Sequence, residues 1–351
     1  MVIGCAAVDI TAQARSPQAA YQSSTVPGTV RLSSGGVAHN IALAAQRSCP
    51  EEPGVVRLLA PVPSNDILGT FLSHQLEKVG LDTTGLVHMG NVSPATCNLV
   101  LDGHGDLITG VADMEAVECT LTPDTLTRAL EQHGKNQIPR IVAMDANISA
   151  PALRAVLDLC QRYGWTTVFE PTSISKSRRI VDAALLHKVS TSVDLITPNH
   201  LELAEMASAL MLYQPDTRTN RVREVLIQQL AFLGEAAPSL VDNALRVSHI
   251  AHTQMIKLGP RGVLLVKRTG SEEGLEARHI SAPALDSKLP VHSTGAGDTF
   301  TGAVLAAARI DHPSTPLREL TLPNLEYLVQ KGQSAAALTL ASPEAVAPVL
   351  K

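Results

Sequence analysis

Near its C-terminus the chain carries a glycine-rich turn that runs into an apolar segment, with the sequence Ser293-Thr294-Gly295-Ala296-Gly297-Asp298-Thr299-Phe300-Thr301-Gly302-Ala303-Val304. The small residues at 295–297 permit a tight turn, and the apolar residues from Phe300 onward predict a helix that begins near Ala296 or Gly297. Unpaired N–H groups at a helix start, together with the helix dipole, form an anion site. Asp298 lies in this first turn, where it can face the same ligand and accept a proton. In the alternative interpretation the segment is a plain turn, and Asp298 only caps the helix.

A second glycine turn precedes a helix near the N-terminus, and its sequence is Ser34-Gly35-Gly36-Val37-Ala38-His39-Asn40. Two adjacent glycines let a ligand approach the backbone closely. Asn40 lies one turn inside the helix and offers both a donor and an acceptor. Alternatively, the glycines merely end an irregular segment and Asn40 makes a local cap.

The rest of the chain alternates short apolar runs with amphipathic segments. The runs with strand character are Val2–Ile10, Val55–Val62, Ile141–Asp145, Thr166–Glu170, Leu195–Thr197, Met255–Leu258 and Val263–Lys267. Segments with helical periodicity include Val37–Arg47, Leu68–Val79, Pro123–Gln132, Pro151–Tyr163 and Leu201–Leu212. Strands that alternate with helices predict an α/β fold, in which a mainly parallel sheet has helices on both faces.

Two stretches interrupt this alternation. Residues 11–34 are rich in Ser, Thr, Gln and Pro and show no helical pattern, and residues 92–113 read as two strands joined by a glycine-containing turn. Together they predict a small β lid, formed by 11–34 and 92–113, on an α/β core formed by 1–10, 35–91 and 114–351. Residues 207–248 read as a largely helical excursion.

The composition argues against several classes of protein. The 28 Lys and Arg residues are outnumbered by 33 Asp and Glu, and only 3% of residues are aromatic, which argues against nucleic-acid binding. No apolar run is long enough to span a membrane, and the N-terminus lacks the basic region of a secretory signal. The five cysteines are scattered without a C-x-x-C pair, as in proteins of a reducing compartment. We therefore expect a cytoplasmic protein that binds a small molecule and neither nucleic acid nor membrane.

The two glycine turns resemble the two signatures of the ribokinase-like (PfkB-type) carbohydrate kinases and occur in the same order. The resemblance covers about residues 1–342 and implies a three-layer, doubly wound, mainly parallel sheet with a small β-sheet lid. It implies that Asp298 is the catalytic base. It also implies that the amides of Gly295, Ala296, Gly297 and Asp298 form an anion hole for a transferring phosphoryl group.

The resemblance also assigns residues to the substrate, namely Asp9, Gly35, Gly36, Asn40, Thr96, Asn98 and Asp113. Asp9 ends the first predicted strand, and a carboxylate there suits two neighbouring sugar hydroxyls. An ordinary turn residue at a strand end would look the same. The three lid positions would discriminate among substrates.

The resemblance assigns a further group of residues to the nucleotide, namely Asn199, Lys257, Gly259, Gly262 and Thr294. Asn199 and Glu202 match an N-x-x-E motif in which Glu202 would hold Mg²⁺ through water. Alternatively, Asn199 and Glu202 form a helix capping box. A plain hairpin would likewise account for Gly259 and Gly262. The implied cofactors are ATP and Mg²⁺, with a monovalent cation such as K⁺ near residues 293–297.

Several segments are most similar to the pseudouridine kinase subgroup of this family, namely 29–33, 112–115, 145–147 and 170–176. Two positions depart from that subgroup, because His39 stands where Arg is expected and Glu170 where Asp is usual. This likeness implies transfer of the γ-phosphoryl group of ATP to the 5′-hydroxyl of pseudouridine, giving pseudouridine 5′-phosphate. It also implies pairing with, or fusion to, a pseudouridine-5′-phosphate glycosidase, and the family likeness implies a homodimer through the lid.

Two alternatives remain open from the sequence, and a third is excluded by it. Another kinase of this family, acting on ribose, fructose or adenosine, would carry the same two signatures. A non-catalytic nucleoside-binding relative would keep the fold, although such proteins typically lose the base or the glycines that are present here. A dinucleotide-binding dehydrogenase is excluded, because G-x-G-x-x-G does not follow the first strand.

Overall fold

A computed structural model describes residues 1–15, 25–90, 93–104, 107–136, 141–186, 193–211, 220–269, 274–284 and 292–350. Within these ranges the strands are β1 (Val2–Ile3), β2 (Ala7–Ala14), β3 (Gly28–Gly35), β4 (Leu58–Leu59), β5 (Pro61–Pro63), β6 (Val87–Met89), β7 (Thr96–Leu101), β8 (Leu107–Asp113), β9 (Ile141–Asp145), β10 (Thr166–Glu170), β11 (Val193–Ile196), β12 (Ala251–Lys257), β13 (Val263–Arg268) and β14 (Leu275–Ile280). The helices are α1 (Val37–Arg47), α2 (Ile67–Lys78), α3 (Glu115–Thr120), α4 (Pro123–Asn136), α5 (Ala150–Tyr163), α6 (Ile174–Ser177), α7 (Arg179–Leu185), α8 (His200–Ala209), α9 (Asn220–Gln229), α10 (Ala236–Val247), α11 (Ala296–Asp311) and α12 (Leu322–Leu340).

The main sheet has eight strands in the order β14-β13-β12-β11-β10-β9-β1-β4. Neighbouring strands from β4 to β12 run parallel, and β13 and β14 are antiparallel additions at one edge. This topology confirms the predicted α/β class with a mainly parallel sheet. The sequence analysis did not predict β14, because its alternating charged residues leave no continuous apolar run.

Side chains of the central strands alternate between two apolar layers, one on each face of the sheet. Ile3 and Met144 belong to one layer, whereas their neighbours Val2 and Ala143 belong to the other. Helices α4, α5, α8 and α10 complete the first layer, and α1, α2, α11 and α12 complete the second. This two-sided burial explains why the central strands read as continuous apolar runs.

A second sheet, with strand order β3-β2-β7-β8, is separate from the main sheet. The predicted strand Val2–Ile10 is split between the two sheets, because the chain leaves the main sheet at Gly4 and enters the second one at Ala7. Gly4 has φ 148°, and a Cβ there would lie 2.3 Å from the carboxyl carbon of Asp145. Asp9 therefore lies inside the second sheet and does not end a strand of the core.

The second sheet contains most of the predicted lid. It begins four residues before the predicted boundary at residue 11, since β2 starts at Ala7. Residues 16–24, 92 and 105–106 of the predicted lid lie outside the described residues. The division of the chain into core and lid stays a prediction.

The predicted excursion at 207–248 contains helices α9 and α10, and residues 212–219 lie outside the described part of the chain. Leu226 of α9 and Val241 of α10 belong to the first apolar layer. Among the described residues, no helix has the length and apolar character needed to cross a membrane.

Candidate active site

Polar side chains stand at the carboxyl ends of four neighbouring parallel strands. Asp145 ends β9, Glu170 ends β10, Thr197 follows β11 and Lys257 ends β12. In open α/β sheets, ligands bind outside the carboxyl ends of the strands. The candidate site is therefore this edge of the main sheet, where helices α1 and α11 also begin.

The turn before α11 has the geometry that the sequence predicts. The helix begins at Ala296, and Gly295 is its N-cap with φ 76°. A Cβ on Gly295 would lie 1.9 Å from the carbonyl oxygen of Ala345, so a larger residue does not fit. The amides of Gly297 and Asp298 have no acceptor among the described residues. These free donors at a helix start are available to an anion.

Asp298 is half-buried beside this turn and accepts a hydrogen bond from Asn40 Nδ2 at 2.8 Å. Burial raises the pKa of Asp298 to about 7, with a further contribution from the negative charge of Glu170. The hydrogen bond from Asn40 and the ammonium of Lys257 act in the opposite direction. A carboxylate with this pKa is suited to accept a proton near neutral pH.

His39 controls the orientation of the Asn40 amide. Asn40 must direct Nδ2 toward the Asp298 carboxylate, so its Oδ1 faces His39 Nδ1 at 3.1 Å. His39 Nδ1 must then carry the proton and donate it. His39 Nε2 is buried without a partner among the described residues, which suits the unprotonated nitrogen of this tautomer. Burial lowers the pKa of His39 to about 4, so the ring is neutral at pH 7.

Asp145, which the sequence analysis did not include among the site residues, connects the start of α1 to the main sheet. Its carboxylate is fully buried and accepts hydrogen bonds from the amides of Cys5 at 2.8 Å and Ala38 at 3.1 Å. The amide and side chain of Asn147 also donate to it, at 2.9 and 3.2 Å. Its position at the end of a buried strand was the sequence signal that could have identified it. Asp145 therefore fixes the first turn of the helix that carries Asn40.

Gly36 is required where the chain enters α1. It has φ 95°, and a Cβ would lie 2.5 Å from the carbonyl oxygen of Cys5. Gly35 is covered by the carboxylate of Asp9, because a Cβ on Gly35 would lie 2.0 Å from Asp9 Oδ2. Burial raises the pKa of Asp9 to about 6. Asp9, Gly35, Gly36 and Asn40 thus form one continuous group.

The structure does not bring the other lid positions together with Asp9. Strand register pairs Asp9 with Cys97, whereas Thr96 and Asn98 pair with Val8 and Ile10. Side chains alternate between the faces of a strand, so Thr96 and Asn98 point away from the face of Asp9.

Asp113 shares that opposite face, because it is paired with Thr96 across β7 and β8. It is exposed, and so is Asn98. The residues that share a face with Asp9 include Cys97 and Leu99, which the sequence analysis did not select.

Asn199 and Glu202 form the capping box that the sequence left as an alternative. Asn199 Oδ1 accepts from the amides of Leu201 and Glu202, and Glu202 Oε2 accepts from the Asn199 amide at 2.8 Å. Burial, followed by the charge of Glu170, raises the pKa of Glu202. A cavity of about 760 Å³ adjoins this helix start and residues 172–175, which lead into α6.

Glu202 fits a water-mediated Mg²⁺ contact. Its Oε1 has no hydrogen-bond partner among the described residues, and carboxylate oxygens are the ligands that Mg²⁺ prefers. Mg²⁺ commonly binds through one or two carboxylates together with substrate phosphates. In the described part of the chain, no three His, Cys, Asp or Glu side chains cluster in a way that could hold a metal.

Lys257, at the end of β12, lies next to Asn199. The backbones of the two residues form an isolated parallel bridge. Gly262 has φ 92°, and a Cβ would lie 2.1 Å from the carbonyl oxygen of Ile280, so the hairpin itself requires this glycine. Gly259 has φ 61° and faces open space, which leaves room for a ligand. Thr294 is exposed directly before the N-cap of α11.

A second lysine reaches the same edge of the sheet. Lys176 Nζ donates to Asn147 Oδ1 at 2.6 Å, and Asn147 in turn contacts Asp145. No carboxylate pairs with Lys176 within the described ranges. The sequence analysis noted the segment that carries Lys176 but did not include this lysine among the site residues.

A larger cavity of about 990 Å³ opens at the opposite ends of the strands, beside the stacked rings of Tyr163 and Trp165. Its wall includes the ion pair of Arg57 with Asp82. We place the active site at the edge that carries Asp298, because the free amides and the perturbed carboxylate are located there.

The chain is similar to several known proteins. It is 28% identical to pseudouridine kinase from Arabidopsis thaliana, over 78% of this chain and 67% of that protein. It is 24% identical to a pseudouridine-metabolizing bifunctional protein from Schizosaccharomyces pombe, over 90% of this chain and 42% of that protein. Its fold matches the structure of Arabidopsis thaliana ribokinase complexed with ribose and ATP, with a TM-score of 0.68, 17% identity, and coverage of 99% of this chain and 94% of that one.

A family model described as pfkB family carbohydrate kinase matches residues 1–351. The matched region includes both glycine turns, at 34–40 and 293–304, and the strands that carry Asp145, Glu170 and Lys257. The chain therefore belongs to the pfkB family of carbohydrate kinases, which are phosphotransferases.

Proposed function

We propose that this protein transfers the γ-phosphoryl group of ATP to the 5′-hydroxyl of pseudouridine and forms pseudouridine 5′-phosphate and ADP. The observation that carries the reaction type is the position of Asp298. Its carboxylate lies beside free amides at the start of α11 and has a pKa of about 7. The support for the substrate is the likeness to proteins named for pseudouridine in two organisms.

In the proposed reaction, Asp298 removes the proton of the attacking hydroxyl as its oxygen bonds to the γ-phosphorus. The bond between that phosphorus and the bridging oxygen of ADP breaks, and ADP leaves with the electron pair. The amides of Gly297 and Asp298 donate to the phosphoryl oxygens during the transfer. The Ala296 amide, which the resemblance also places in the anion hole, donates to the carbonyl oxygen of Ser293 at 3.4 Å. The Asn40 amide keeps the Asp298 carboxylate aimed at the hydroxyl.

We assign the ribose to the group formed by Asp9, Gly35, Gly36 and Asn40. A carboxylate and an amide suit neighbouring hydroxyls, and the glycines let the ring approach the backbone. We do not extend this assignment to Thr96, Asn98 and Asp113, since their side chains lie on the opposite face of the sheet.

The nucleotide is assigned to the region formed by Asn199, Lys257, Gly259, Gly262 and Thr294. Glu202 would hold Mg²⁺ through water there, and the ion when bound neutralises phosphate charge. A K⁺ ion near residues 293–297 stays a prediction. The second sheet would close over the acceptor and exclude water.

Two partner proposals accompany this function. A homodimer would form through the second sheet, where Val30, Leu32 and Val111 are exposed on one face. A glycosidase acting on pseudouridine 5′-phosphate would act with the kinase, since one relative is bifunctional and longer than this chain.

The test is ATP consumption with Mg²⁺ and K⁺ against pseudouridine, uridine, adenosine, ribose and fructose, with Asp298→Asn as the control. We expect strong preference for pseudouridine and loss of turnover in the variant. Preference for another compound would keep the reaction type and reject the substrate. A folded protein that turns over none of the five would instead support a substrate outside the panel or the non-catalytic relative.

A further inference from the structure

A buried ion pair lies beneath the turn that begins α11. Lys257 Nζ is 2.8 Å from Glu170 Oε1 and 2.9 Å from Oε2. The Glu170 side chain is 5% exposed and that of Lys257 is 16% exposed. Glu170 Oε2 also accepts hydrogen bonds from the hydroxyls of Thr197 at 2.7 Å and Thr301 at 2.8 Å. Both oxygens of the carboxylate are therefore hydrogen-bonded, and three side chains hold it in position.

The pair bridges two strands that are not neighbours. Glu170 ends β10 and Lys257 ends β12, and β11 with Thr197 lies between them. Two strand spacings amount to about 9.6 Å, so both partners must be long. An aspartate at position 170 would be shorter by about one carbon–carbon bond, roughly 1.5 Å. Glu170, where aspartate is usual, thus carries its carboxylate farther toward the lysine two strands away.

The ammonium group is closer to the α11 turn than the carboxylate is. A Cβ built on Gly297 would lie 3.2 Å from Lys257 Nζ, and the three atoms nearest to that point all belong to Lys257. Thr301, one turn later in the same helix, connects Glu170 to α11. The pair therefore presents its positive end to the turn and its negative end to the core.

One N–H donor of the Lys257 ammonium is not used by Glu170. It has three N–H groups, and two of them are directed at Glu170. No acceptor for the third is present among the described residues. Because Nζ lies 3.2 Å from the position that a Cβ on Gly297 would occupy, a ligand bound at the turn is within reach of this third N–H.

We propose that Lys257 donates this N–H to the phosphoryl group bound at the α11 turn, and that Glu170 positions Lys257 for the contact. The inference rests on the proposed function and names a phosphoryl-contacting residue for it. The lysine keeps its proton throughout, because the acceptor's proton passes to Asp298. A charge-assisted contact of this kind favours ATP over ADP, since only ATP places a phosphoryl group at the turn.

A purely structural salt bridge is the competing explanation, and nucleotide selectivity separates the two. We would measure affinities for ADP and for a non-hydrolysable ATP analogue, each with Mg²⁺ and the accepted substrate, by titration calorimetry. Lys257→Met should lower the affinity for the analogue by roughly 10–100-fold and leave ADP binding within about threefold. Lys267→Met on β13 is the matched control, since it removes a lysine away from the site.

Two further variants keep the inference testable if Lys257→Met does not fold. The double variant Glu170→Gln, Lys257→Met removes both charges, so that no buried charge is left without a partner. It should show the same selective loss of affinity for the ATP analogue. Glu170→Asp keeps both charges but shortens the bridge, and should lose part of the selectivity.

An unchanged preference for the ATP analogue in the folded lysine variants would overturn the inference while leaving the proposed function intact. Wild-type protein that binds neither nucleotide would overturn the proposed function and the inference with it.

Discussion

The raised pKa of Asp298 predicts a specific pH profile for the kinase reaction. With a pKa of about 7, the carboxylate is about 9% ionised at pH 6 and about 91% ionised at pH 8. If ionised Asp298 is the base, kcat/KM should rise roughly tenfold over this interval. An aspartate with its ordinary pKa of 3.8 would be ionised throughout, and the profile would be flat.

The assay is a coupled measurement of ADP release from pH 5.5 to 8.5, with the accepted substrate well below its KM. Asp298→Asn should lower turnover by roughly 10²–10⁴-fold, because the proton acceptor is lost. Glu170→Gln should move the rise in kcat/KM to lower pH, because it removes a negative neighbour of Asp298 and leaves Lys257 unbalanced. A profile that stays flat between pH 6 and 8 in active wild-type protein would refute the assignment of a perturbed base.

The same pKa has a consequence for stability. The folded pKa of Asp298 lies above its unfolded value, so the folded state binds more protons between pH 4 and 7. This carboxylate therefore lowers the free energy of unfolding as pH rises through that window. Asp298→Asn should raise Tm at pH 8 and change it little at pH 4. A variant that is less stable than wild type at pH 8 would contradict this sign.

Other predictions test the supporting structure. Gly295→Ala should abolish turnover and lower Tm, because the new Cβ would collide with the carbonyl of Ala345; activity above a tenth of wild type would show that the turn tolerates a side chain. Asp145→Ala should lower the free energy of unfolding in urea by about 2–4 kcal/mol, because two backbone amides lose a buried acceptor, and a loss under about 1 kcal/mol would count against this role. Glu202→Gln should raise the Mg²⁺ concentration needed for half-maximal turnover roughly tenfold, whereas an unchanged Mg²⁺ dependence would place the ion elsewhere.

Much of the fold is visible in local sequence patterns. Strands β9 and β10 match their predicted limits, and so does helix α1, because buried parallel strands and small-residue helices each have a distinct periodicity. The start of α11 was also predicted, since only glycine suits its N-cap. These features depend on a few neighbouring residues, and the backbone preferences of those residues act locally.

Contacts between residues that are distant in the sequence could be seen only in the tertiary structure. The apolar run Val2–Ile10 contains Gly4, but its sequence does not show that the chain changes sheets there, because Gly4 packs against the distant residue Asp145. The face on which Thr96 lies depends on a strand register that a shift of one residue would reverse. The meeting of Glu170 with Lys257 depends on the order of strands in the sheet, and strand order is a property of the whole chain. Local patterns therefore identify the turn that holds the reacting groups, whereas long-range packing decides which charged residues surround it.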